Sequence, residues 1–396
     1  MAKSNLLQIV AARKGKFSAP QELEGVEKMF VSFGLCNQAK EWGMDFSLLV
    51  FGIGQKLLRA VSETAFLAEL ELSGLQKRFN RFLRKSRGEN LLPWLLQRLP
   101  RKCLQDPDAI WILDDTPLQK SGKKMSGAKK FFHNGQFFHG YELLTLIFSG
   151  EKGLFPLGSS LKTKTSLSKV TMACHLIEQG LSLGFSPGWI VFDSWYTVKG
   201  LLDFIILKGL RFVGPLKKNR VLWFRGRRHH LDYFLKKSQG RTYGAFFISL
   251  KKNGQVLRLV VFQRRLKSGK IQNEFLLTND LTSAVKKIAK VYLKRWGIET
   301  LFRAGKQTFS LEKFHNRNLQ AIQNHIAFSL CAIVLVAFMK TLFKSLQGKS
   351  LAFVRRVAFL KKITVTIGTR WCALKAFAFR PNPLYFKRFG VVAWDV

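Results

Sequence analysis

Two short apolar runs that stop at aspartate set the tightest limit on what this chain can fold into. Ala109, Ile110, Trp111, Ile112 and Leu113 lead into Asp114 and Asp115, and further on Trp189, Ile190, Val191 and Phe192 lead into Asp193. Runs of four or five apolar residues with polar borders have the length of buried strands. Between them lie a strand pattern at Tyr141 to Phe148 and a helical pattern from about Ser168 to Leu183, closed by Ser186, Pro187 and Gly188. A helical pattern around Val198 to Lys208 and a strand pattern at Arg211 to Gly214 continue the alternation. Strands alternating with helices call for a sheet with helices on its faces, so an α/β unit with acids at its strand ends is expected.

The period changes afterwards. Ala245 to Leu250, Gln255 to Gln263 and Glu274 to Thr278 read as strands, with Asn253 and Gly254 as a two-residue hairpin signal between the first two. Helix is expected again near Thr282, where Asp280, Thr282 or Ser283 could cap it. That helix carries Glu299, the only acid between Asp280 and Glu312, with Tyr292, Arg295 and Lys306 around it. At about 100° per residue, offsets of three, seven and fourteen return to within roughly 60° of the start, so the four residues share one stripe of a single helix. An i,i+4 pair on a solvated face is the plain alternative for Arg295 and Glu299. The apolar frame of Val291, Trp296, Ile298, Leu301 and Phe302 argues that the polar stripe faces a cleft instead.

Charge narrows the partner. The 396 residues hold 66 Lys and Arg against 24 Asp and Glu, a formal net charge of +42. No internal pairing absorbs such an excess, and nucleic acid is the polyanion it suits. Membrane-surface proteins concentrate basic charge on one helix or tail, whereas here it runs from Lys3 to Arg388. The most apolar stretch, Ile326 to Met339, falls short of the roughly 20 residues that span a bilayer and reads as a buried helix. The start, with Lys3, Asn5, Gln8, Arg13 and Lys14, lacks a signal-peptide core, so a cytoplasmic, nucleoid-associated protein with no membrane partner is expected. Cys36, Cys103, Cys174, Cys331 and Cys372 are odd in number and never paired as C-x-x-C, which supports neither a disulfide framework nor a zinc site.

The organisation expected is a helical DNA-binding region over 1–105, a catalytic core over 106–220 and 280–340, a β-rich insertion over 221–279 and a basic C-terminal region over 341–396. Apolar-periodic stretches from about Pro20 to Phe33 and Phe46 to Leu72 carry the first of these, with a cationic face of Arg78, Arg81 and Lys85. That face is as well explained by solvation as by DNA. Gly348, Lys349 and Ser350 imitate the end of a phosphate loop, but Phe343 stands where that motif needs its first glycine. His229 with His230, and His315 with His325, lack zinc-site spacing. Two strand-end carboxylates and a third on a late helix are the hard oxygen donors that a two-metal phosphoryl-transfer site requires.

The stretch Y-L-K-R-W-G-I-E-T-L-F-R-A-G-K matches the Y-x2-R-x3-E-x6-K signature of DDE transposases from bacterial insertion sequences. The segments W-I-L-D-D-T-P-L-Q-K-S-G-K-K and I-V-F-D-S-W-Y are similar to the regions around that family's first and second catalytic aspartates. The likeness covers roughly 108 to 340. It implies an RNase H-like core with a β-rich insertion, preceded by the helical DNA-binding region and followed by C-terminal helices. By position, Asp114, Asp193 and Glu299 become the catalytic, metal-binding triad, with Mg²⁺ as the cofactor and Mn²⁺ as a substitute. Asp114 is chosen over Asp115 because the family shows an Asp two residues before the Thr matching Thr116. Tyr292, Arg295 and Lys306 are expected to contact DNA phosphates, with Lys120, Lys123 and Lys124 in a similar role. Trp223 and Trp296 are both candidates for holding a flipped base. The implied partner is double-stranded DNA, at the element's ends and at the target, bound by a homodimer. A transposase-derived DNA-binding protein without activity, and an RNase H-like nuclease or resolvase, are the rival readings.

Overall fold

The structure is a computed structural model and describes residues 31, 33–42, 44–58, 75–104, 106–120, 122, 124–133, 135–238, 243–265, 269, 271–342 and 346–358. Most of the Pro20 to Phe33 pattern, the second half of the Phe46 to Leu72 pattern, Lys123 and the tail beyond 358 lie outside the described residues. The chain divides into two compact units: residues 1–99, 121–127 and 303–396 form one, and residues 100–120 and 128–302 the other.

The first unit is helical where described. It contains α1 (Leu35–Glu41), α2 (Phe46–Leu58), α3 (Leu75–Lys85) and α4 (Leu91–Arg98). The second unit begins with β1 (Ile110–Gln119), β2 (Lys129–His133), β3 (Gln136–Gly150) and β4 (Gly153–Lys162), followed by α5 (Lys169–Ser182), β5 (Trp189–Phe192), α6 (Lys199–Leu207) and β6 (Phe212–Pro215). It continues through β7 (Val221–Phe224), β8 (Arg227–His230), α7 (Leu231–Lys237), β9 (Tyr243–Ile248), β10 (Leu257–Arg265), β11 (Ile271–Thr278) and α8 (Val285–Leu293). The boundary between the units falls within α9 (Trp296–Thr308), and α10 (Leu319–Leu342) and α11 (Leu351–Ala358) return to the helical unit.

In that unit α10 is the centre. It is 24 residues long, longer than the apolar run alone suggests, and long and apolar enough to cross a membrane; nearly all of it from Ala321 to Met339 is buried by protein. It packs against α2, α3, α4 and α11. A Cβ at Gly52 of α2 would come within 2.5 Å of the Phe328 ring, so that contact admits only glycine. His325 is a core residue here, with Lys56 Nζ at 3.0 Å from its Nδ1.

The second unit is built on a sheet that joins nine of the described strands in the order β2-β3-β1-β5-β6-β11-β10-β9, with β4 also on β3. Strands β3 and β4 are antiparallel to their neighbours, while β1, β5 and β6 run parallel. Reading β4-β3-β1-β5-β6 across gives the RNase H-like core, and the fold class is α/β of that kind. The β-rich segment does not stand apart as a whole: β11 pairs antiparallel with β6 and carries β10 and β9 into the same sheet. The pair β7 and β8 forms its own ribbon. The link between β9 and β10 is not a two-residue turn. It spans residues 249–256, because Ser249 is drawn off to bridge Trp223.

Strand alternation gives β1 two different faces. Trp111, on one face, lies against Gly180 of α5, where a Cβ would be 2.7 Å from the ring. Ile112, on the other, lies against Gly297 of α9, where a Cβ would be 3.6 Å from its Cδ1. Helix α5 starts as its sequence directs, with Ser168 as N-cap accepting from the Thr171 N–H. Helix α8 does not: its N-cap is Ala284, without a side-chain cap. Asp280 instead builds the preceding turn, its Oδ1 accepting from the N–H groups of Thr282 and Ser283.

Candidate functional site

The parallel contact between β1 and β5 ends at Leu113 and Phe192, so Asp114 and Asp193 emerge side by side just past it. Asp114 is not at a strand end, as its sequence suggests. The strand runs on to Gln119 because the long β3 keeps pairing with it, Asp114 opposite Thr145. What stops at Leu113 is one of its two neighbours, and that opens a place for the acid.

Burial and the nearby Asp193 carboxylate push the Asp114 carboxyl up to about 7. Burial likewise raises Asp193, although its Oδ1 accepts from the Trp195 N–H at 2.9 Å. Two carboxyls raised together lack compensating positive charge. The charge that is present comes from Arg295, whose Nη1 donates to Asp114 Oδ2 at 2.6 Å and whose Nη2 donates to Glu299 Oε1 at 2.9 Å. Through this guanidinium the residues on β1 and α9, 185 positions apart in sequence, become one cluster.

The helix expected from Asp280 onward is in fact two, α8 and α9, interrupted at Lys294 and Arg295. The N–H groups of Arg295, Gly297 and Ile298 each donate to the carbonyl three residues back. Such tight turns place residues i and i+3 in line, and Tyr292 and Arg295 are hydrogen-bonded through their side chains. The stripe therefore holds for Tyr292, Arg295 and Glu299, by a different geometry from a continuous helix. Lys306 belongs to the helical unit and pairs with Glu312 at 3.3 Å. Of the early lysines, Lys120 closes the far end of β1, its N–H donating to the His139 carbonyl. Lys124 is exposed in the other unit, and Lys123 lies outside the described residues. Trp296 is 59% exposed on α9, while Trp223 pairs with Arg228 in the ribbon and bridges by its backbone to Ser249, just past β9.

A second charged cluster occupies the opposite face of β1 and escaped the sequence reading. Lys169, at the start of α5, donates to Asp115 Oδ2 at 2.9 Å and to Glu142 Oε1 at 2.5 Å, and Lys129 reaches Glu142 Oε2 at 2.6 Å. The Tyr196 hydroxyl donates to Asp115 Oδ1 at 2.6 Å. Burial raises Glu142, but the bonds from Lys129 and Lys169 outweigh it and hold the carboxyl below its ordinary value. Lys169 also sits 4.9 Å from the Trp195 ring centroid, a cation–π contact that fixes the turn carrying Asp193. The signal was present only as an unassigned lysine at a helix start.

Carboxylates are the hard oxygen donors that Mg²⁺ and Mn²⁺ take. Among the described residues no three His, Cys, Asp or Glu side chains converge as a group able to hold an ion. Asp114 and Asp193 do converge, and Glu299 joins them through Arg295. The two raised carboxyls are a donor pair short of positive charge, and in that respect the residues fit a dication.

Strand order, helices on both faces and acids past the β1–β5 contact together define an RNase H-like domain with an acid site at the head of its parallel strands. A model of the transposase DDE domain matches residues 105–335, more than half of the chain, and the chain belongs to that family. It is thus a DNA transposase by family, an enzyme class that cleaves DNA and transfers strands and that generally uses divalent metal ions. A piggyBac transposase, seen by cryo-EM in a synaptic complex with hairpin DNA, aligns with 100% of this chain and 81% of its own at 14% identity and a TM-score of 0.48. No curated protein gave a significant match.

Proposed function

We propose that this chain binds the terminal inverted repeats of its own element and catalyses their cleavage and joining, with Asp114, Asp193 and Glu299 as the catalytic acids. The observation that carries the reading is the desolvated Asp114–Asp193 pair, joined to Glu299 by Arg295. In the reaction, water attacks the phosphorus at the element's end and the 3′ oxygen leaves. The freed 3′ hydroxyl then attacks a target phosphodiester and displaces another 3′ oxygen. Asp114, Asp193 and Glu299 would hold Mg²⁺, which when bound supplies Lewis-acid stabilisation of the attacking and leaving oxygens. Asp193 is held for this by the Trp195 N–H, and Asp114 by the N–H of Asp115 at 2.9 Å.

Arg295 keeps the acids from repelling one another and presents its guanidinium beside them, where a phosphate bound at the site would meet it. Tyr292 steadies that guanidinium. Lys306, Lys120, Lys123 and Lys124 are assigned to the DNA backbone, which fixes register without reading sequence. Two ends must be held together for transfer, so a homodimer on DNA is assigned as the working form. Metal-dependent nicking of a labelled duplex from the DNA bordering the coding sequence tests the assignment. Glu299→Gln should lower the rate about 10³-fold or more while leaving duplex affinity within about two-fold; wild-type rates in that variant would refute it.

A second reading is favoured by one observation: Arg295 stands between Asp114 and Glu299, filling with a fixed charge the space that a third metal ligand would close. An inactive, transposase-derived DNA-binding protein would keep such a bridge. Binding that ignores Mg²⁺ and Mn²⁺, with no nicking of end DNA, would decide for it.

A further inference from the structure

Asp193 heads a turn whose next residue, Ser194, opens into a cavity of about 460 Å³ lined also by Val198, Lys217, Asn219, Arg220 and Val221. The volume is in the range of sites that hold a small ligand or a single nucleotide unit. Its lining holds two cations, a hydroxyl and an amide, and among the described residues lining it there is no acid. The sequence around it is one-sided as well. Between Asp203 and Asp232 there is no Asp or Glu, against Lys208, Arg211, Lys217, Lys218, Arg220, Arg225, Arg227 and Arg228.

The cavity is built from anchored parts. The loop 216–220 is tied at one end to β11, where the Leu216 N–H donates to the Phe275 carbonyl at 2.8 Å, and it closes on itself through the Arg220 N–H and the Lys217 carbonyl at 2.9 Å. Arg220 Nη2 donates to the Thr197 carbonyl at 2.8 Å, and Thr197 Oγ1 donates to the Pro215 carbonyl at 2.8 Å. The loop and the turn after Asp193 are thereby stitched together. The cavity that Lys217 and Arg220 line is also lined by Ser194, the residue after an acid proposed to act on a phosphodiester. The ribbon that begins at Val221 carries the positive surface onward. Its tip, Arg225 and Gly226, has φ of 50° and 77°, the left-handed pair of a two-residue hairpin, and Arg225, Arg227 and Arg228 are exposed there.

We infer that this cavity is a phosphate subsite for the DNA strand beside the bond that is broken, with Lys217 and Arg220 holding the phosphate and Ser194 and Asn219 as further donors. The inference rests on the proposed acid site at Asp193 and adds the place where the neighbouring phosphate of that strand is gripped. Charged side chains with an oxyanion between them are the strong form of such contacts.

The probe is thymidine 3′,5′-bisphosphate, titrated into the full-length protein in EDTA and followed by calorimetry. Saturable binding is expected, with inorganic phosphate competing. Lys217→Ala should weaken it about ten-fold and Lys217→Arg should largely restore it, while Lys252→Ala, an exposed lysine elsewhere in the same unit, should leave it unchanged. Arg220→Gln should weaken it too, but it also removes the bond to Thr197, so exposed Lys217 carries the decision. No saturable binding, or equal affinity in wild type and Lys217→Ala, overturns the subsite. Because the titration is metal-free and the nicking assay is not, the two proposals fail separately. Bisphosphate binding without nicking sinks only the catalytic reading, and nicking without a Lys217-dependent site sinks only this one.

Discussion

The two faces of β1 place consecutive aspartates in opposite electrostatic situations. On the face covered by α9, Asp114 shares a desolvated space with Asp193 and pairs with Arg295, which it divides with Glu299. On the face covered by α5, Asp115 and Glu142 share Lys169, Lys129 and the Tyr196 hydroxyl. The second cluster is satisfied and holds the sheet to its helix. The first is left short of positive charge, with carboxyls raised by burial, which is the condition of a site that awaits a cation or a substrate. The satisfied and the under-compensated carboxylates thus differ here by which side of one pleat they occupy, since residues i and i+1 of a strand face opposite ways.

The largest effect that tests this contrast is on activity. Asp114→Asn should lower metal-dependent nicking about 10³-fold or more, yet leave the melting temperature unchanged or higher, because a neutral isostere removes an under-compensated buried charge. Asp115→Asn should do the reverse, retaining measurable nicking while lowering stability. Paired rate and melting measurements decide, and a stability loss at Asp114 equal to that at Asp115 would erase the distinction. Next in size is Lys169→Met, which takes the shared cation from Asp115 and Glu142 and leaves Asp115 with the Tyr196 hydroxyl and Glu142 with Lys129. Breaking a buried pair from one side costs about 3–5 kcal/mol, readable by denaturant unfolding. A change under about 1 kcal/mol would show the α5 face to be no more than a surface ion pair.

A pH experiment sharpens the comparison from the other side. Asp114 is raised to about 7 in the folded protein from an ordinary value of 3.8, so between roughly pH 4 and 7 the folded state keeps a proton that the unfolded state has lost. Stability from this group is therefore greatest at the acid end of that window, declines as pH rises through it and levels off above about 7, by on the order of a few kcal/mol. Glu142 is held low and contributes with the opposite sign, in a window below its ordinary 4.5, so the two do not overlap between pH 5 and 8. The metal-free protein should lose stability from pH 5 to pH 8 relative to Asp114→Asn, and Mg²⁺ or Mn²⁺ should restore it at pH 8. Parallel profiles for the two proteins would remove the metal-site argument.

Much of this was legible in the sequence, and the parts that were not share a cause. The runs ending at Asp114 and Asp193 and the helix starting after Ser168 follow from local pattern, and local pattern is enough because each is a short-range choice of strand, cap or turn. The continuation of β1 to Gln119 depends on β3, and the entry of β9, β10 and β11 into the main sheet depends on β6; neither partner is near in sequence. The same holds at the site. Arg295 announces Glu299 four residues on, but its bond to Asp114 spans 181 positions, and the break at Lys294 has no glycine or proline to mark it. Lys169 reads as an ordinary helix-start lysine until the fold brings Asp115 and Glu142 to it.

Tyr196 gives the smallest effect and the finest division between the two faces. It follows Asp193 by three residues and hydrogen-bonds Asp115, so it links the turn that carries one acid site to the cluster behind the other face. Tyr196→Phe keeps the buried ring and deletes one hydroxyl, leaving Asp115 with Lys169, and a loss of about 1–1.5 kcal/mol is expected. If that link only stabilises, nicking should stay at the wild-type rate at saturating Mg²⁺. If it also places Asp193, the Mg²⁺ concentration giving half-maximal nicking should rise about three- to ten-fold while duplex affinity is unchanged. A combined Lys169→Met and Tyr196→Phe variant tests whether the two contacts on Asp115 are coupled. Additive stability losses mean the two contacts act independently on Asp115, and a combined loss smaller than the sum means that either alone already frees the carboxylate.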